Sequence, residues 1–223
     1  NGSIESLKQS VFKGLGLRLF RGNKAGFSYT TDFTTPAIEL IIQTALHLAE
    51  LSDADEHNVL PDMVLSEYPD LGLFDSNLQN ISMEEKIAIA QSLEKKVFEK
   101  DPRIIHTEAA GFSSSSSTTD FFNSHGGSGS YSATLTGMFI SPVAEANGIR
   151  TNESWYSYNR FFDELDSPDK VASIAAERTV RLLGARKIQT TKADVILEPS
   201  CGVTFLSSFF SLINGDSFKR GLS

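Results

Sequence analysis

Residues 118–138, TTDFFNSHGGSGSYSATLTGM, decide the fold class. Tyr131, Ala133 and Leu135 alternate with Ser132, Thr134 and Thr136, and a period of two is the mark of a strand with one apolar face. The preceding HGGSGS (125–130) reads as a flexible turn. It lacks the Lys-Ser/Thr pair that a phosphate-cradling loop needs before its helix. Before the turn lies the tract SSSSSTT (113–119), which reads as a polar strand edge or hairpin loop. Its hydroxyls invite a nucleophile reading with His106 and His125 as bases. However, no glycine-flanked strand–turn–helix elbow surrounds any of these serines. The alternation runs from Ile104 to about Phe162 and predicts a block of antiparallel strands.

Helical signals flank this block. Ser82-x-x-Glu85 is a capping box, in which each side chain satisfies a backbone amide at the other's position. Met83, Ile87, Ala90, Leu93 and Val97 then form one stripe, and Pro102 stops the helix. Ser167-Pro168-Asp169 opens another helix with a cap, an early proline and an acid that suits the helix dipole. This one carries Val171, Ile174, Ala175, Val180, Leu182 and Leu183, ends near Gly184, and has two apolar faces that predict burial between layers. Thr35-Pro36 starts a third, with Ile38, Ile41, Ile42, Ala45, Leu48 and Ala49 on its apolar stripe. His47 lies off that stripe. The acidic stretch DADEHNVLPD, with His57, reads as a solvated loop.

The chain's beginning reads as β-rich: SIESLKQS, then GLGLRLF and GFSYTTD around the turn RGNKA, a hairpin. Gly14-x-Gly16 does not extend to a dinucleotide fingerprint, because Leu19 stands where its third glycine would be and no helix opens there. Near the other end, ADVILEPS reads as a short apolar strand, followed by the apolar segment FLSSFFSL. Together these elements predict an α+β protein with an antiparallel sheet and three main helices.

The 223 residues, 40% hydrophobic and 22% charged, suffice to bury a core. No run reaches the roughly 18 apolar residues a membrane-spanning helix needs, and the expected location is cytoplasmic. A formal net charge of −8 disfavours direct nucleic-acid or anionic-lipid binding. The few basic residues between Lys13 and Lys24 read as a solvated hairpin. Cys201, the single cysteine, has no intramolecular disulfide partner and is expected to be an isolated buried thiol.

The order GLGLRLFRGNKAGFSYTTD, strand block, AAERTVRLLGARKIQTTKADVILEPS, Gly215-Asp216 and Arg220-Gly221-x-Ser223 resembles the TldD/PmbA family, historically labelled modulators of DNA gyrase. The resemblance implies that complete members are about twice this length. It places 1–191 in the family's N-terminal α/β region and makes 192–223 the truncated beginning of a β-rich C-terminal domain.

The resemblance also implies chemistry. TldD-type members are zinc peptidases with a His-Glu-x-x-x-His helix and a distant cysteine. Two imidazoles and a thiolate would hold Zn²⁺ with a place for water, and the glutamate would take that water's proton. Family order puts this helix on FLSSFFSL, with Ser207 and Leu212 in place of the histidines and Ser208 in place of the glutamate. Serine is a poor zinc ligand and leucine is none. His106 and His125 cannot restore the spacing, and Cys201 lies upstream of the helix segment rather than downstream.

The chain therefore resembles the PmbA (TldE-like) branch, a non-catalytic companion, with no catalytic or metal residue of its own and no cofactor in this chain. Zinc is expected only in a TldD-type metallopeptidase partner, and the substrate is a peptide or unfolded protein. Self-association is an added expectation, since Phe205, Leu206, Phe209, Phe210, Leu212 and Ile213 crowd a predicted helix over 203–213. The alternative is a stand-alone binding or structural protein of the same fold with no peptidase partner.

Overall fold

A computed structural model of the chain describes residues 2–60, 69–219 and 221, in two compact units, Asn1–Gly184 and Ala185–Ser223. The first unit opens with a hairpin of β1 (Leu15–Arg21) and β2 (Lys24–Thr30), paired without interruption from Leu15↔Thr30 to Arg21↔Lys24. The two-residue turn demands a left-handed backbone, and Gly22 supplies it at φ 59°. Helix α1 (Thr35–Leu51) starts after Thr34 with Pro36 in its first turn, and buries Ile41, Ala45 and Ala49. It lies close on β2, where a glycine, Gly26, faces the backbone at Ala45 and Ala49.

Helix α2 (Met83–Phe98) forms its capping box as the sequence predicts: Glu85 N donates to Ser82 Oγ at 3.1 Å and Ser82 N to Glu85 Oε2 at 2.7 Å. Strands β3 (Ile104–Phe122) and β4 (Ser128–Ala146) then form an antiparallel ribbon of 19 residues a side. Chain irregularities in this pairing are confined to the base, at 104–106 and 107–109. Strands β5 (Ile149–Asn152) and β6 (Trp155–Asn159) pair with the other edge of β4. Helix α3 (Pro168–Arg181) follows, with Ser167 Oγ accepting from Lys170 N at 3.2 Å. A 3-10 turn, Leu182–Gly184, ends it where the glycine predicts.

Helices α2 and α3 cover one face of the sheet. Leu93, Val97, Ile104, Met138, Ile140, Ala144, Val171, Ala172, Ala175 and Ala176 make the core. Three alanines on α3 keep its buried side slim, so the helix lies close to its neighbours. Buried polar groups in this layer find partners: Thr179 Oγ1 donates to Glu153 O at 3.2 Å, and Thr179 O accepts from Thr151 Oγ1 at 3.0 Å. On the opposite face, Tyr131, Leu135, Tyr156 and Tyr158 stand about half exposed.

At the end of α2, Asp101 accepts from Arg103 through N, Nε and Nη2 at 2.9, 2.8 and 2.7 Å. These bonds hold the Asp101 carboxyl at about 2, below its ordinary 3.8. Because the folded value is the lower one, the pair stabilises the fold above pH ~4 and that contribution fades toward pH 2. Melting curves of the parent and of Asp101→Asn should therefore differ near neutrality, with the parent higher, and converge across that acid window. Parallel curves across the window would show that the pair contributes nothing to acid sensitivity.

Two expected strands do not form. Residues 3–14 have no regular structure, and Ile4, Leu7, Val11 and Phe12 are exposed. Residues 193–198, the ADVILE run, are not a strand either; Val195 and Ile196 are exposed. Both runs carry strand-like residues, but a strand persists only where a neighbour pairs its backbone, and none does among the described residues. The second unit, by itself, consists of this extended lead-in and two helices, α4 (Pro199–Leu212) and α5 (Gly215–Lys219).

Candidate functional site

Helix α4 is the element on which the resemblance places the family's metal chemistry. It begins at Pro199, whose missing amide costs nothing in a first turn. Ser207, Ser208 and Leu212 all fall on it, at the spacing of the metal motif. Their chemistry does not fit zinc. Ser208 Oγ donates to Thr204 O at 3.1 Å, a bond to its own helix, and Leu212 offers no lone pair. The neighbouring hydroxyls do the same: Thr204 Oγ1 donates to Ser200 O and Ser211 Oγ to Ser208 O. Among the described residues no three of His, Cys, Asp and Glu come together in a cluster that could hold a metal.

The remaining candidates are dispersed. His106 is exposed on β3, and His125 sits in the turn between β3 and β4, where Asn123 Oδ1 accepts from the backbone N of His125 and of Gly127. His47 is exposed on α1 and His57 lies in the acidic loop, with Glu56 3.9 Å away. The loop's last two residues, 61 and 62, and residues 63–68 after it lie outside the described residues. Cys201 corrects an expectation: it is exposed, not buried. The apolar company that suggested burial, the side chains from Val203 to Ile213, is itself half exposed and offers no cover.

That exposure is extensive. Val203, Phe205, Leu206, Phe209, Phe210, Leu212 and Ile213 are each 50–64% exposed, and Phe209 and Phe210 meet edge to face at 6.2 Å. The segment forms the predicted helix, and its crowded apolar residues stand in water. A patch this dense binds apolar dyes. Phe209→Ser/Phe210→Ser should cut the fluorescence of an added naphthalene sulfonate dye severalfold; an unchanged signal would show the patch to be covered in solution.

In the first unit, an open cleft of about 510 Å³ lies between the end of α2 and α3, lined by Lys100, Asp101, Ser173, Ala176, Glu177, Val180 and Arg181. Lys100 Nζ donates to Asp169 Oδ1 at 2.7 Å, and this bond, ahead of the longer one from Lys96, keeps the Asp169 carboxyl below its ordinary range. The basic residues at the ends of α2 and α3 were the only sequence signal for this cleft. Nearby, the Arg178 guanidinium lies 4.7 Å over the Trp155 ring.

Residues 76–183 match the PmbA/TldA metallopeptidase central domain and residues 1–49 match PmbA/TldA metallopeptidase domain 1. The chain belongs to the PmbA/TldD metallopeptidase family. Metalloprotease PmbA of Escherichia coli is 29% identical over 221 residues, covering 98% of this chain and 49% of that protein. The Metalloprotease PmbA homolog of Haemophilus influenzae is 27% identical over 219 residues, 97% of this chain and 48% of that one. The chain thus spans about half the length of the curated relatives it matches.

The fold is shared with a Bacteroides thetaiotaomicron protein described as a modulator of DNA gyrase, at a TM-score of 0.82 and 23% identity over 93% of this chain and 48% of that one. It is also shared with TldE from Thermococcus kodakarensis, at a TM-score of 0.58 and 17% identity over 74% of this chain and 36% of that one. No described helix is long and apolar enough to cross a membrane.

Proposed function

We propose that this chain is part of a PmbA-type, TldE-like companion subunit that is not itself catalytic. It works with a TldD-type zinc metallopeptidase that cuts peptides or unfolded chains. One observation carries the reading: Ser207, Ser208 and Leu212 occupy the helix positions where the resemblance calls for two imidazoles and a carboxylate. The Ser208 hydroxyl, turned back on its own helix, cannot take a proton from bound water near neutral pH, and neither the hydroxyl of Ser207 nor the hydrocarbon side chain of Leu212 replaces an imidazole on Zn²⁺. In this reading the peptidase brings the metal and base, and the companion contributes surface and positioning. The similarity to proteins named PmbA supports the PmbA-type part of the assignment.

The test uses the full-length protein. Purified without chelator, it should carry no stoichiometric zinc and leave an unfolded peptide intact. Mixed with a TldD-type chain bearing the His-Glu-x-x-x-His helix, it should give cleavage that a chelator abolishes. One tightly held zinc per chain, or cleavage by the protein alone, would overturn the proposal. Failure of the mixture to exceed the partner alone would favour a stand-alone binding role.

A further inference from the structure

The cleft of about 510 Å³ between α3 and the end of α2 is floored by buried Ala176 and half-buried Val180. A volume of this size suits a small ligand. The charges of the α2 wall are already neutralised. Lys100 Nζ donates to Asp169 Oδ1 at 2.7 Å, and both carboxyl oxygens of Asp101 accept from the Arg103 guanidinium. The α3 wall differs. Its Glu177 and Arg181 are exposed, and among the described residues neither makes a hydrogen bond or an ion pair. They stand one helical turn apart, a spacing at which opposite charges ordinarily pair. The cleft therefore presents one uncommitted carboxylate and one uncommitted guanidinium beside an apolar floor.

We propose that this cleft binds a dipeptide with both ends free, lying along α3 with its ammonium on Glu177 and its carboxylate on Arg181. A ligand with a single charge would match one of these groups and leave the other unmatched. A zwitterion matches both. The spacing selects its length, because residues four apart on a helix have Cβ atoms about 5–6 Å apart. An extended dipeptide spans about 7 Å, so its ends reach both groups, whereas the two ends of a single amino acid sit on one carbon. The Arg181 guanidinium can take a carboxylate through two parallel N–H···O bonds, which orients that end. At the other end, Ser173 lies one turn before Glu177 and donates its hydroxyl proton to Asp169 O at 2.8 Å, so its oxygen is left to accept from the ligand's ammonium. Every group in the site belongs to this chain. Peptides with two free ends are what a peptidase releases, and only that use of the site rests on the companion-subunit reading.

The experiment titrates L-alanyl-L-alanine into this chain and follows backbone amide signals by NMR. Signals from Ser173 to Arg181 should shift and saturate, with a Kd of about 1 mM or below. N-acetyl-alanyl-alanine lacks the ammonium and alanyl-alaninamide lacks the carboxylate. Each should bind about tenfold more weakly, as should alanine. Glu177→Gln should erase the preference for a free amine and keep that for a free carboxylate; Arg181→Gln should do the reverse. No saturable shift on α3 at about 10 mM dipeptide would overturn the proposal. So would capped peptides that bind as tightly as the uncapped one, or variants that weaken every ligand alike. Should a variant misfold, the capped peptides decide on the parent alone. No metallopeptidase enters the titration, so its failure leaves the companion-subunit reading standing, and the failure of that reading leaves the site standing.

Discussion

Asp75→Ala is expected to be the most damaging single truncation of a polar side chain in the first unit. Asp75 is 5% exposed, and both its carboxyl oxygens are engaged: Oδ1 accepts from Asn77 N at 2.8 Å and Oδ2 from Phe162 N at 2.9 Å. Its own N donates to Thr134 Oγ1 at 2.9 Å, and that hydroxyl in turn donates to Arg160 O at 2.9 Å. Thr134 N closes the arrangement by donating to Leu73 O at 3.0 Å. One carboxyl thus ties the 3-10 turn Ser76–Asn80, ahead of α2, to the 3-10 turn Phe162–Glu164, ahead of α3, across the middle of β4. Alanine leaves the N–H of half-buried Phe162 and that of Asn77, an exposed residue, without their acceptor; a buried N–H left unmet costs about 1–3 kcal/mol, and one that water reaches costs less.

The variant should therefore lose roughly 1–4 kcal/mol in urea or guanidinium unfolding, seen as a lower midpoint with the slope unchanged. Asp75→Asn, whose amide keeps one acceptor, should fall between. A loss under about 0.5 kcal/mol for Asp75→Ala, the range of an ordinary surface change, would show that water replaces the carboxyl freely and that the clasp is incidental.

This clasp was illegible in the sequence, and the reason is distance along the chain. The capping box at Ser82 and Glu85 joins residues three apart, so its spacing announces it. Asp75 reaches Thr134 across 59 positions and Phe162 across 87. No local pattern marks such a partner. The period-two block from Ile104 onward was readable because alternation records which face is buried. The failed strand in ADVILEP shows the limit of the same signal: composition gives a run its preference, but the neighbour that would pair it is not written in the run.

On α4, the residues at the metal-motif positions could be placed from the resemblance, since a helix fixes side-chain spacing. Whether its phenylalanines are covered depends on what lies beside them, and so the exposure of Phe209, Phe210 and Cys201 could not be read from their own identities.

Gly26 is a sharper case, and it supplies an effect whose sign opposes the ordinary rule. In a strand interior, replacing glycine with alanine is normally neutral or favourable, by roughly 0.5–1 kcal/mol, because glycine loses more conformational freedom on folding. At Gly26 an added Cβ would lie 1.9 Å from Ala45 O and 2.5 Å from Ala49 N, both atoms of the α1 backbone. A helix backbone cannot swing aside as a side-chain tip can. The whole of α1 would have to lift from β2, opening water to Ile41, Ala45 and Ala49, which are 0–4% exposed.

The lift would also strain the clips at the far end of the hairpin, where Lys24 Nζ donates to Glu50 O at 3.1 Å and Arg21 pairs with Glu50. Overpacking of this kind costs about 1–3 kcal/mol, and more where rigid backbone must move. Gly26→Ala should therefore lower the melting temperature clearly. Gly14→Ala, whose nearest neighbour would be Thr30 O at 3.9 Å, should leave it unchanged. A Gly26→Ala protein as stable as its parent would mean that α1 does not sit this close on β2. The sequence drew attention to Gly14 and Gly16 because two spaced glycines resemble a binding loop. The glycine that matters mechanically is the one without a motif, and the reason is the helix that lies on top of it.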